Sequence, residues 1–183
     1  MNTSEKGIAL IKYFEGVLAR PYKCPGGYWT VGVGHLITRN AELPDTWDRK
    51  LELDEIDELL KKDLEKFENG VLRLLHPKQP TQSEFDALVS FSFNLGLGCF
   101  QRSTVRSAFK RGDKKRAGEV LLKYCYAGGR KLKGLIRRRL AEHAMLMTKE
   151  LHLDTLPEPS IEQINREYLS LDIIEKWTNK KVS

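Results

Sequence analysis

A chain of 183 residues, 40% hydrophobic and 31% charged, has enough apolar side chain to close one packed domain or two lobes on a shared core. No apolar run approaches the roughly 20 residues of a membrane span, and MNTSEKGIALIKYFEG at the start lacks the basic segment and apolar core of a secretory signal. The formal charge of +6 is unevenly spread: Arg102 to Glu142 holds fourteen Lys/Arg against three acids, whereas 151–183 holds six acids against four bases. The basic stretch predicts a polyanionic partner, although a solvated helix surface accounts for part of it. Cys24, Cys99 and Cys125 form no C-x-x-C pair, which argues against a zinc knuckle.

Taken along the chain, Ser4 suits the N-cap of a first helix that carries Ile8, Ile11 and Phe14 on one face and stops at Glu15-Gly16. Residues 21–38, with turn signals at Pro25-Gly26-Gly27, predict a small β-hairpin or three-stranded meander. After a loop around Pro44, the spacing of Ile56, Leu59, Leu60, Leu64, Phe67, Val71, Leu74 and Leu75 predicts one long helix over about 54–75. His76-Pro77 ends it. Thr81 and Glu84 form a capping box for a second helical block, which runs through Phe85, Leu88, Val89 and Phe93 into Asn94. Gly96, Gly98, Gly112 and Gly128-Gly129 divide the next stretch of chain into helices near 103–111, 113–125 and 135–150. Pro157 and Pro159 mark a hinge before an amphipathic helix opened by Ser160 and Gln163, with Ile161, Ile164, Tyr168 and Leu171 on one side.

These elements predict an α+β chain that is mainly α. A β lobe covers about 16–53, the linking helix about 54–75 and a helical lobe 76–150, with 151–183 as a C-terminal extension. The extension reads as a helix packed on the helical lobe, because its net negative charge suits an anionic membrane poorly.

Glu15 closes the first helix, at the negative pole of its dipole. Negative charge is disfavoured there by up to about a kcal/mol, which suits a group that must carry a proton to act as a general acid. Taken by itself, the residue is better explained as a solvated carboxylate at a frayed helix end. Its spacing from two small polar groups, Cys24 and Thr30, adds a second wall. An acid opposite a held water is the layout of glycosidic cleavage with inversion.

Glu15-x8-Cys24-x5-Thr30 followed by TVGVGH (30–35) resembles the signature of the phage-type lysozymes, the endolysins of glycoside hydrolase family 24. FDALVSFSFNLGLGCF (85–100) and YAGGRKLKGLIRRRLAE (126–142) are similar to further segments of that family, in the family's order. The resemblance covers residues 5–150. It implies a lysozyme-like fold, with a small N-terminal β-hairpin lobe and a helical C-terminal lobe joined by a long helix. It also implies hydrolysis of the β-1,4 bond between N-acetylmuramic acid and N-acetylglucosamine in peptidoglycan. Glu15 would protonate the glycosidic oxygen, Thr30 would orient the water, and Cys24 would take the slot where many members carry Asp. A thiol needs help to ionise at neutral pH, and Lys23 is the nearest cation in sequence. His35 would brace the lobes by pairing with an acid of the long helix. Leu36, Phe93, Asn94 and Ser103 would line the cleft, and Arg137 or Arg138 would meet Glu15. Tyr124 stands where Trp is common, which weakens any stacking role there. The resemblance further implies a monomer with no cofactor, no metal and no nucleic acid as partner. Peptidoglycan is the substrate, an anionic outer-membrane surface is a further candidate partner, and the protein stays in the host cytoplasm until released to the periplasm and wall. Two rivals stand beside this reading. One is a lytic transglycosylase, which needs the acid but no water holder; the other is a basic wall-binding module without activity.

Overall fold

The computed structural model describes residues 1–24 and 26–147 of the chain; the expectations for 151–183 and the end of the helix predicted to 150 lie outside them. Helix α1 (Glu5–Glu15) starts at Ser4, whose hydroxyl accepts from the Gly7 amide, and buries Ile8, Leu10 and Ile11. Its N-terminal approach is latched to the linking helix and the helical lobe by two buried carboxylates. Glu68 accepts from the Thr3 amide and hydroxyl, both at 2.7 Å, and Asp86 accepts from Ser4. Gly16, at φ 78°, turns the chain out of the helix with its amide on Lys12 O, a conformation that costs glycine little.

A meander of three antiparallel strands follows: β1 (Leu18–Lys23), β2 (Trp29–Gly32) and β3 (His35–Thr38), in that order. The central strand β2 is the buried one, and Thr30 faces Tyr22 on one side and Leu36 on the other. Where β2 ends, Gly32 (φ 64°) lies against Ile56, close enough that an added Cβ would stand 3.1 Å from its Cγ2. This contact seats the sheet on the long helix α2 (Leu53–Leu75). Helix α2 buries Ile56, Leu60, Leu64, Val71, Leu74 and Leu75, whereas Leu59 and Phe67 are only partly covered. At about 1.5 Å per residue it spans roughly 35 Å, enough to carry both lobes.

Helix α3 (Gln82–Leu95) is the hub, enclosed on all sides, with Phe85, Ala87, Leu88, Val89 and Phe91 all at 0% exposure. Full burial of such side chains stabilises by about 1.5–3 kcal/mol each. Around it stand α4 (Leu97–Arg102), α5 (Thr104–Lys110), α6 (Lys114–Leu121) and α7 (Lys133–Leu146). Two features depart from the expected helices. The block after Gly96 opens with a separate helix, α4, and Gly128-Gly129 closes a hairpin of β4 (Tyr126–Ala127) and β5 (Arg130–Lys131).

Candidate active site

Glu15 reaches the site because α1 stops there and the chain reverses into β1. Its carboxylate is held at 2.5 Å by Nη1 of Arg138, and the side chain stays 29% exposed. Arg138 itself is 3% exposed. Its Nε donates to Glu142 at 3.1 Å, and its Nη2 lies 3.2 Å from the Ser90 carbonyl and 3.3 Å from the Ser90 hydroxyl. The Phe14 ring packs 5.8 Å from the guanidinium. Arg137 turns elsewhere, donating to the Tyr13 hydroxyl at 2.8 Å. Of the two arginines named from the sequence, it is Arg138 that meets Glu15.

On the opposite wall, Cys24 follows β1 and begins the turn into β2, with its amide on Tyr28 O at 2.9 Å. Its thiol is held below the ordinary cysteine value. The chief cause is the Tyr28 backbone N–H, aided by the Thr30 hydroxyl and the Gly26 amide against some desolvation. Lys23, the cation expected to do this, lies instead over the Trp29 ring. Thr30 is 5% exposed and donates to Tyr28 O at 3.1 Å. Its hydroxyl has a single hydrogen, so it serves either that carbonyl or the Cys24 sulfur, and its lone pairs remain available to a water.

Tyr22, beside Thr30 in the sheet, links the two walls. Its phenol is pushed up by partial burial and then by the negative charges of Cys24 and Glu15, so both groups lie within electrostatic reach of one ring. It went unread in the sequence, although its place two residues before Cys24 on a predicted strand was a signal for the same face.

The remaining expected residues divide. His35 Nδ1 sits 3.0 Å from Asp63 of α2 and its ring stacks on Trp47, so it ties β3 to the long helix. Leu36 is 44% exposed beside Thr30. Phe93 packs against Phe67, and Asn94 Oδ1 accepts from Arg139 at 2.9 Å. Ser103 is buried as the N-cap of α5, accepting from the Arg106 amide and donating to Phe100 O, so its hydroxyl faces its own turn. Tyr124 packs edge-on against Phe91 in the core. Among the described residues, no three His, Cys, Asp or Glu side chains stand together as a metal site, and no helix is long and apolar enough to cross a membrane.

Comparison with known proteins places this geometry in context. The phage lysozyme family model matches residues 12–142. An endolysin of Bacillus phage B103 is 38% identical over 152 residues, 82% of this chain but 56% of that protein, so the chain spans about half the length of this relative. An endolysin of Acyrthosiphon pisum secondary endosymbiont phage 1 is 36% identical over 79% of this chain and 97% of its own length. Among solved structures, the muramidase domain of SpmX from Asticcacaulis excentricus aligns with a TM-score of 0.69 and 32% identity, covering 79% of this chain and 97% of that one.

Proposed function

The chain belongs to the phage lysozyme family, and from that premise we propose that it is a peptidoglycan-hydrolysing endolysin that cleaves the β-1,4 bond between N-acetylmuramic acid and N-acetylglucosamine with inversion. The observation that carries the reading is Glu15, held by the buried Arg138 at the end of α1 while Thr30 and an acidified Cys24 stand on the sheet around Tyr22.

Glu15 donates its proton to the glycosidic oxygen as the C1–O bond breaks. A water attacks C1 from the other face of the sugar ring. Thr30 takes one hydrogen of that water on a lone pair, and the Cys24 thiolate accepts the proton the water gives up. Hydrogen bonds from backbone amides, that of Tyr28 first, and from the Thr30 hydroxyl suit Cys24 to this task, because they favour the anion. Leu36 and Phe93 offer apolar surface to the sugars, and His35 fixes the strand that carries the site. The substrate is the wall polymer, reached once the chain is released from the cytoplasm.

Glu15→Gln is the test. Turbidity of chloroform-treated Gram-negative cells should fall at least about a thousandfold more slowly than with the native protein. Full lysis by the variant would remove Glu15 from the chemistry. Mass spectrometry of the native products should show reducing muramic ends; 1,6-anhydro ends would make the protein a transglycosylase.

A further inference from the structure

Helix α7 buries two consecutive guanidinium groups, Arg138 at 3% and Arg139 at 0% exposure. The carboxylates that touch them among the described residues are Glu142, itself at 0% exposure, and Glu15. Glu142 Oε1 accepts from Arg138 Nε at 3.1 Å, Arg139 Nη2 at 3.2 Å and the Ser90 hydroxyl at 2.7 Å, while Oε2 lies 3.0 Å from Arg139 Nε. The buried set therefore holds two cations and one anion, and Glu15 supplies the missing negative charge from the rim of the site. Arg139 shows the same imbalance: its Nη1 has no hydrogen-bond partner among the described residues, and burial holds its guanidinium below the ordinary arginine value.

We propose that Glu142 is a positioning residue for the reaction: it aims Arg138 at Glu15 and cancels one of two buried positive charges beside the acid. This rests on the assignment of Glu15 as general acid and adds to it the residue that holds and balances its arginine partner. Among the described residues, Arg138 from α7 contacts Glu15, and Tyr22 from β1 and Cys24 just after it share its electrostatic surroundings. Lys12, one turn back on α1, is paired with Asp57, and from α3 the uncharged Ser90 contacts Arg138. Arg138 is thus the direct route by which buried charge acts on Glu15. An added positive charge favours ionised Glu15 and withdraws the acid at lower pH; a removed one does the reverse.

The test is a charge series, with initial rates of reducing-end release from purified sacculi measured from about pH 4 to about pH 9 and kcat and KM taken on a soluble muropeptide tetrasaccharide. Glu142→Gln keeps the shape and removes the anion. Its alkaline limb should move down by about one pH unit, with kcat at neutral pH falling about tenfold and KM changing less than about twofold. Arg139→Gln should move the limb up, and the double variant should return it to the native position. An unmoved limb in both single variants, whatever their melting temperatures, reduces Glu142 to a structural ion pair and overturns the proposal, as do limbs moving in the same direction. Where Glu142→Gln does not fold, Arg139→Gln decides by itself: its limb must rise. Glu15→Gln distinguishes the two levels, because an active Glu15→Gln removes the acid assignment, while an inactive one beside an unmoved limb removes only the role of Glu142.

Discussion

If Cys24 takes the slot of a carboxylate, as the resemblance read from the sequence implies, the sheet compensates at the level of single hydrogen bonds. The Tyr28 amide and the Thr30 hydroxyl favour its thiolate and hold the group below the ordinary cysteine value. Cys24→Asp is expected to keep activity within about tenfold and to move the acid limb of the rate profile to lower pH, because an Asp ionises near 3.9. Cys24→Ala should lose about a hundredfold. Pseudo-first-order lysis rates across pH check both, and an Ala variant with native rates would make the position a spacer. The proposed triad of Glu15, Cys24 and Thr30 is read from spacing, because the signature it resembles is itself a spacing. The partner of Glu15 is not: Arg137, Arg138 and Arg139 are consecutive, and at about 100° per residue only the packing of α7 on α1 and α3 decides which one points inward. Glu142 did leave a signal, an acid four residues after Arg138 and three after Arg139, the spacing at which helical side chains meet.

Elements with strong terminal chemistry were read nearly to the residue. Helix α3 begins at the Thr81–Glu84 capping box: the Glu84 carboxylate accepts from the Thr81 amide at 2.8 Å and pairs with Lys114 at 3.0 Å. Although partial burial works against its charge, the Thr81 amide and the Lys114 ammonium hold Glu84 below the usual carboxylate range. A group depressed in this way contributes stability that is complete above its unfolded value, about 4.3, and is lost as the pH falls through the lower folded value. Glu84→Gln should therefore lower the urea midpoint at pH 7 and lose less on acidification below about pH 5 than the native protein does. Equal midpoints at both pH values would show the box contributes nothing. Helix α4 and the β4–β5 hairpin were missed for a shared reason, in that glycine was read as a break. Gly96, at φ 86°, joins two helices, and Gly128 and Gly129, at φ 56° and 75°, both adopt the left-handed conformation of a two-residue hairpin turn. Two adjacent glycines between short polar segments carry that hairpin signal in the sequence itself.

At the scale of the whole molecule, the basic stretch from Arg102 to Glu142 divides in two. Arg138 and Arg139 are enclosed, while Arg102, Lys110, Arg111, Lys115, Arg116, Lys123, Arg130 and Lys133 are exposed. The exposed group, spread from α4 to the start of α7, is what an acidic wall or outer-membrane surface would meet. Lysis rates should therefore fall as salt rises above about 0.2 M, where the Debye length is below roughly 7 Å. Rates constant with salt would confine the cations to solubility. The two-lobed plan was legible because α2 carries a long unbroken apolar period. The sheet's seating on α2 was not, since it depends on the absence of a side chain at Gly32. The first turn of α3 brings together parts of the chain far apart in sequence. Gln82 donates to the carbonyl of Asn2 at 2.9 Å, and its neighbour Ser83 donates to the carbonyl of Met145 at 2.7 Å. The start of the chain and the end of α7 thus emerge at one corner of the body. In a chain cut after Met147, a linker on the order of five to eight residues would close it into a ring, and that ring could be reopened at an exposed turn such as Gly128-Gly129, giving a circular permutant whose proposed catalytic walls are untouched.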